Sequence, residues 1–430
     1  MASRVCPEDA ILAGKRAAAM SRRATDDIER VLVHLNSLEL GGTQINALDL
    51  AVEVRRHGIE SILVGARETL PAGPSLLDIA ARRGITVEVY DPEASILARG
   101  RQLTTLAEQH GAELLHVYGS WGGGARPTYW GFARFGRRPW IQTVYEMEVS
   151  PKIKRHMPLI VGTGYLVDEL ERRPGRTILI SPPVDTDADR PDPAAGAAFR
   201  AAHGLHGDLL MIVSRLDADM KSLPIGLAIE AMGTLTADAT LAIVGTGDDA
   251  ARLKDAAALV NARLGREAVR FLGPLADPRP AYAAADIVLG MGSSAARGLA
   301  FGKPLVVQGQ AGWSALFDED SAAELARSSY WSPLSVANPV ERLRAIIDPV
   351  LADTEGRARL GAFGRGFALE RFGLTLMAAK LAGFYREVAG TYGLRQWAAD
   401  LPPELAILAR KGVNSIPRHS RSHSRSGVTA

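Results

Sequence analysis

Four loops in this 430-residue chain carry glycine, hydroxyl or cationic residues at spacings suited to binding an anion. The first is HLNSLELGGTQINALDL, where a strand ends near Asn36, Gly41 and Gly42 turn the chain, and a helix opens at Thr43 or Gln44. Glycines there let a ligand approach the backbone, and a helix N-terminus offers N–H groups that lack intrahelical partners. A plain βα turn needing positive φ would use the same two glycines. The second loop is IVSRLDADMKSLPIGLAIEAM, with Arg215 and Lys221 flanking a strand-to-helix connection. A guanidinium gives forked hydrogen bonds and an ammonium a mobile point charge, so the pair can clamp a diphosphate. The spacing alone also describes two surface cations, one of them at a helix end. Asp217-Ala-Asp219 spells D-x-D, but Asp185-Thr-Asp187 repeats the pattern in a bridging segment, so no metal site is expected.

The third loop runs Gly245-Thr-Gly247-Asp-Asp-Ala250, formally the G-x-G-x-x-A dinucleotide fingerprint. Asp248 and Asp249 would put carboxylates where a pyrophosphate should sit, and the next strand, VRFLG, ends without a ribose-binding acid. A tight βα turn near a nucleotide is expected, not a nicotinamide site. The fourth is DIVLGMGSSAARGLAFGKPLVVQG, where Gly290, Gly292, Ser293 and Ser294 lie between a buried strand and a helix beginning near Ser294. Small residues and hydroxyls at a helix N-terminus make a phosphate or oxyanion cradle, or simply an N-capped helix. Arg297 follows about one helical turn later, where it can face the same cleft.

Short β-branched runs alternating with amphipathic helices must position these loops. From Arg30 the strands read RVLVHLNS, ESILVGA, TVEVYD, LLHVYGS, PWIQTVY, LIVGTG and TILISPP, with helices over Gln44–His57, Pro74–Arg83, Leu97–His110 and Tyr165–Arg172. They are apolar on both faces, as strands of a parallel sheet covered by helices must be. SPPVDTDADRPDPAAG then reads as a linker, because its prolines continue neither a helix nor a central strand. The alternation restarts in DLLMIVSRL, ATLAIVG, AVRFLG, DIVLGMG and KPLVVQG and gives way to a helical stretch over Val340–Tyr392. The expected fold class is α/β, with two doubly wound Rossmann-like domains facing a cleft and C-terminal helices. The divisions are an extension over 1–27, with Met20 an alternative start, a first domain over 28–185 and a linker over 186–207. A second domain over 208–335, helices over 336–400 packing back on the cleft, and a polar low-complexity tail over 401–430 complete the chain. Ligands of open α/β sheets bind outside the strand carboxyl ends, which is where all four loops fall.

Composition narrows the partners. Lys+Arg 50 against Asp+Glu 48 leaves a formal charge of +2, which argues against a protein built to coat nucleic acid. A single cysteine, Cys6, excludes an intrachain disulfide and a cysteine-rich metal site. No apolar run approaches a membrane span and no secretory signal stands at the start, so a cytoplasmic protein is the default. No strongly basic amphipathic helix demands a membrane, although docking of the first domain on a membrane surface stays open.

In this order and spacing the pieces GGTQINALDLA, ISPPVD, SRLDADMKS, IVGTGDDAARLK, VRFLGPL and LAFGKPLVV resemble the retaining GT-B glycosyltransferases, most closely glycosyltransferase family 4, over about Arg30 to Tyr385. The resemblance implies a sugar-nucleotide donor as co-substrate, no cofactor and no metal, and a small-molecule, glycan or lipid acceptor. It implies that Arg215 and Lys221 bind the donor diphosphate beside Gly41 and Gly42. Gly245, Gly247, Gly292, Ser293, Ser294 and Arg297 then line the donor cleft, and the stretch holding Leu272 and Leu275 lies near the base. The acceptor approaches from the first domain, near His116, Tyr118, Tyr145 and Glu146, with His116 either a catalytic residue that assists positioning or a core histidine. The family has two glutamates, seven residues apart, at the donor sugar and ribose; here those positions hold Leu289 and Arg297. It also often has a histidine after the strand matching WIQTVYEME, where this chain offers Tyr145 and Glu146. The alternatives are a relative that binds a sugar nucleotide or carbohydrate without turnover, and a GT-B sugar-nucleotide epimerase or phosphorylase.

Overall fold

The computed structural model describes residues 28–69, 75–122, 124–389, 394–399, 401, 402 and 405. The expected extension over 1–27, and the tail over 401–430 apart from those last three residues, lie outside them. Every strand expected from the sequence forms. The first sheet comprises β1 (Arg30–His34), β2 (Glu60–Ala66), β3 (Val87–Tyr90), β4 (Leu114–Tyr118), β5 (Trp140–Val144), β6 (Leu159–Val161) and β7 (Thr177–Leu179). Its order is β3-β2-β1-β4-β5-β6-β7, parallel throughout. The central β4 and β5 are buried at every residue, which is why they read as unbroken apolar runs.

The second sheet holds β8 (Asp208–Val213), β9 (Ala239–Val244), β10 (Val269–Gly273), β11 (Ile287–Gly290), β12 (Leu305–Gln308) and β13 (Ser314–Leu316). Its order is β10-β9-β8-β11-β12-β13. Only β13 runs antiparallel, and it went unread because three residues carry too little periodicity. In each sheet the chain leaves a central strand to one side and returns on the other, between β1 and β4 and between β8 and β11. Such a switch point opens a crevice at the strand carboxyl ends.

Two expectations change. The linker over 186–207 contains a helix, Pro193–His203, started by the Asp192 side chain accepting from the Ala195 N–H at 2.9 Å and by proline at its first position. Phe199 and Leu205 bury in the core of the second domain, so this helix belongs there. The C-terminal helices divide between the two domains. Pro339–Ala352 buries Leu343 and Ile347 in the second domain, whereas Leu374–Ala389 crosses back to the first, packing Met377, Leu381, Phe384 and Tyr385 with Leu48 and Leu50. The chain therefore passes between domains twice, and the crossings pair: the Val184 N–H donates to Phe372 at 3.1 Å and the Leu374 N–H to Val184 at 2.8 Å.

A helical segment at Ala125–Phe135, its last seven residues a π-helix, was also unread. Pro127, Gly131 and Gly136 look like breakers in the sequence. Gly131 instead seats against Gly100 of the neighbouring helix, where a Cβ would lie 2.4 Å from a backbone oxygen. Among the described residues no helix is long and apolar enough to cross a membrane.

Candidate donor cleft and adjoining cavity

The loop after β8 is built on backbone pairing with the loop after β9. The Ser214 N–H donates to Val244 at 3.0 Å and the Leu216 N–H to Thr246 at 2.9 Å. Gly245, at φ 142°, could not take a side chain there, because a Cβ would lie 1.8 Å from the Ser214 carbonyl oxygen. A Cβ on Gly247 would lie 2.4 Å from the Leu216 carbonyl oxygen. These two glycines thus let the neighbouring loop's backbone come close. Asp248 accepts from the Ala218 N–H at 2.9 Å, and Asp249 is held by Arg252 and Ser222. Both carboxylates brace the loop, which explains why a nucleotide fingerprint was the wrong template.

The braced loop carries Arg215, largely exposed, with one guanidinium nitrogen 2.6 Å from Asp217. Asp217 is thereby an ion-pair partner. Among the described residues no cluster of three metal-ligating side chains forms. Lys221 stands at the start of the helix Ser222–Met232, which has no side-chain cap. Burial, reinforced by the Arg215 charge and opposed by Asp217, lowers the Lys221 pKa to about 8. Two cations held close without a carboxylate to neutralise both are poised to gain from an anion.

Across the switch point, Gly292 takes φ 58° and ψ −131°, which turns β11 directly into the helix Ser293–Ala300. A side chain would be strained in that conformation. Ser293 is exposed at the first turn, but Ser294 turns its hydroxyl back to the Met291 carbonyl at 3.0 Å and is a brace, not a ligand contact. From the first domain, Gly42 comes opposite: a Cβ on it would lie 3.9 Å from the Ser293 Oγ. Gly42 opens the helix Gly42–Glu53, again without a side-chain cap. Gly41 packs against Gln44, whose amide donates to Asn36 at 2.9 Å and fixes the turn. Two helix N-termini, each with unbonded first-turn N–H groups, therefore meet at the junction of the two crevices.

Arg297 does not reach into this gap as expected. Its Nε donates to Asp189 of the interdomain segment at 2.7 Å, and the Asp189 side chain is only 4% exposed. Burial raises the Asp189 carboxyl, with Arg297 opposing that shift. Beside it Arg365 donates to the carbonyls of Asp189, Ala300 and Thr186 at 2.6–2.8 Å. Arg297 is a fastening of the hinge. Leu272 and Leu275 are half-buried and pack against the second domain's core.

His116 is also corrected. It lies on β4 with no exposure, Nδ1 2.7 Å from the Tyr385 hydroxyl and Nε2 2.6 Å from Thr143. Burial lowers its pKa to about 3, so it is a neutral core group that reaches no substrate. Tyr118 stacks on it, with ring centroids 4.5 Å apart, and is itself buried. Tyr145 lines the same interior with a buried hydroxyl that has no hydrogen-bond partner. Of the expected acceptor residues only Glu146 is exposed, accepting from the Ser120 N–H at 3.1 Å and tying the β4 and β5 loops together.

Next to Ser293 the domains enclose a cavity of about 300 Å³ that the sequence did not suggest. Its walls come from Gly164, Ser181 and Pro182 of the first domain, Ser293, Arg327 and Tyr330 of the second, and Arg371, Phe372 and Lys380 of the C-terminal helices. Arg327 spans the domains to Asp168 at 2.7 Å. No single window of sequence holds these residues.

Two doubly wound parallel sheets that face one another across a crevice make this a GT-B fold. Residues 207–337 match the family model described as "Glycosyl transferases group 1", which covers the second domain with its Arg215, Lys221 and Ser293 loops. The chain is similar in structure to Anabaena HepE in complex with UDP, at 19% identity and TM-score 0.63, covering 83% of this chain and 99% of that one. It is similar to a glycosyltransferase from Rickettsia africae at 15% identity and TM-score 0.65, covering 84% and 99%. Sucrose-phosphate synthase from Thermosynechococcus elongatus aligns at 17% identity and TM-score 0.60, covering 83% and 98%. No curated protein matches by sequence.

Proposed function

We propose that the protein transfers a sugar from a nucleotide-diphosphate sugar to an acceptor hydroxyl, as a family 4-type enzyme acting with retention and without a metal. The observation that carries this is the meeting of the two switch points, Gly42 opposite Ser293, with Arg215 and Lys221 on the loop beside it. Cleavage of the anomeric C–O bond leaves negative charge on the diphosphate. In this reading Arg215, Lys221 and the N–H groups at the starts of the Gly42 and Ser293 helices stabilise that charge as it develops. The acceptor oxygen bonds the anomeric carbon on the face the diphosphate leaves, and its proton departs with the diphosphate. UDP and glucose bound in HepE make a uridine donor the first to test.

Arg297 and Leu289, standing where the family carries glutamates, favour a second reading in which the protein binds the donor without turnover. Titration with UDP, followed by an assay for nucleotide release from UDP-sugars and GDP-sugars with a panel of hydroxyl acceptors, separates the two. Binding with release supports transfer; tight binding without release under every acceptor supports the second. Arg215→Ala lowers turnover by about 10²–10³ if its guanidinium meets the departing diphosphate. An unchanged rate in a folded variant removes the clamp.

A further inference from the structure

The cavity beside Ser293 has a chemistry of its own. Arg327, Arg371 and Lys380 all line it, and no aspartate or glutamate does. Arg327 is paired to Asp168, but among the described residues Arg371 and Lys380 have no carboxylate partner. The Arg371 guanidinium lies 5.5 Å from the centre of the Phe367 ring, so its carbon face is held by an aromatic wall while its nitrogens stay unpaired. Tyr330, 4% exposed, keeps a buried hydroxyl with no hydrogen-bond partner. It and Ser329 are non-glycine residues held at φ 58° and 55°. The Ser329 N–H donates to Ala326 at 3.1 Å and the Tyr330 N–H to Leu325 at 2.8 Å, so this left-handed pair closes the helix Ala322–Arg327.

The remaining wall is apolar, formed by Phe367, Phe372, Pro182 and Leu179. A space of this size takes a small molecule or the end of a larger one. Arg215 and Lys221 lie outside it, whereas Ser293 belongs to both the cavity and the donor cleft. The cavity thus adjoins the donor cleft through Gly292 and Ser293 but excludes the Arg215 and Lys221 loop.

We propose that this chamber is a second anion site, which binds a phosphate or carboxylate carried on an apolar body through Arg371 and Lys380. An oxyanion there gains forked bonds from Arg371, a point charge from Lys380 and a donor in the exposed Ser293 hydroxyl. That the bound molecule is the glycosyl acceptor rests on the transferase reading; the binding of the anion does not.

The test titrates the full-length protein, by calorimetry, with phenyl phosphate, benzoate and neutral benzyl alcohol, each with and without saturating UDP. Phenyl phosphate or benzoate binds with UDP present, whichever is tighter naming the anion, and benzyl alcohol binds at least about tenfold more weakly. The exposed double variant Arg371→Ala/Lys380→Met weakens the anion by about a hundredfold, since each charge-assisted bond lost counts for roughly a factor of ten, and leaves UDP affinity unchanged. The proposal is overturned if neither anion binds, if the double variant binds it as well as the wild type, or if UDP displaces it. Failure of UDP itself to bind would defeat the transferase reading alone, because the titrations without UDP still decide the anion site.

Discussion

Lys221 offers the sharpest quantitative test, because the same burial that makes it costly makes it a sensor of its ligand. Its pKa is lowered from 10.5 to about 8 by burial and by Arg215. In the free protein the ammonium is therefore about nine-tenths populated at pH 7 and about one-tenth at pH 9. If the diphosphate needs that ammonium, the affinity for UDP falls about tenfold between those two values, as the competent fraction falls. Lys221→Arg carries a cation that does not titrate in this range and loses this decline, while sharing every titration that belongs to the nucleotide. Lys221→Met binds about 10–100-fold more weakly at pH 7, the equivalent of one charge-assisted bond. The stability effect has the opposite sign. A lysine whose folded pKa lies below its unfolded one disfavours folding most where both states are charged, below about pH 8, and the penalty fades toward pH 10.5. Relief of that penalty makes Lys221→Met more stable at neutral pH, by roughly 2–3 kcal/mol after allowing for residual solvent access. Calorimetric titration with UDP across the pH series and urea unfolding of the variants read both quantities. Wild-type affinity as flat as that of Lys221→Arg, or a methionine variant that binds normally, would refute the reasoning.

Two other substitutions probe the supports of the cleft. Arg297→Ala leaves the Asp189 carboxylate buried without its partner and lowers unfolding free energy by about 3–5 kcal/mol in urea titration; a loss below measurement error would show that the pair does not fasten the hinge. Gly245→Ala drives a Cβ into the Ser214 carbonyl at a φ of 142°, so a drop in melting temperature accompanied by weaker UDP binding is expected as the Arg215 loop moves. Normal UDP affinity in that variant would separate the glycine from the position of Arg215.

Particular elements explain how far the sequence could be read. The β1 and β8 runs, each closed by a loop and a helical period, marked two doubly wound domains because strands buried on both faces leave an unmistakable apolar signal. The same local logic put Gly42, Arg215, Lys221 and Ser293 in the turns that follow β1, β8 and β11, and the structure has them there. It misjudged Arg297 and His116. One-dimensional spacing put Arg297 a turn beyond the cradle, but its direction is decided by Asp189, 108 residues away. His116 lies in the middle of β4, where a helix 269 residues later covers it with Tyr385.

What the chain's residue order determined alone was the set of elements and the types of group at their ends, because both depend on near neighbours and on short-period burial. Which of those groups meet was settled by the docking of two sheets and by the last helix returning across the interdomain crossing. That docking brought Gly42 to Ser293 and enclosed Arg371, Lys380 and Tyr330 around one cavity, assembling surfaces from five distant stretches whose shared environment exists only once the domains have packed.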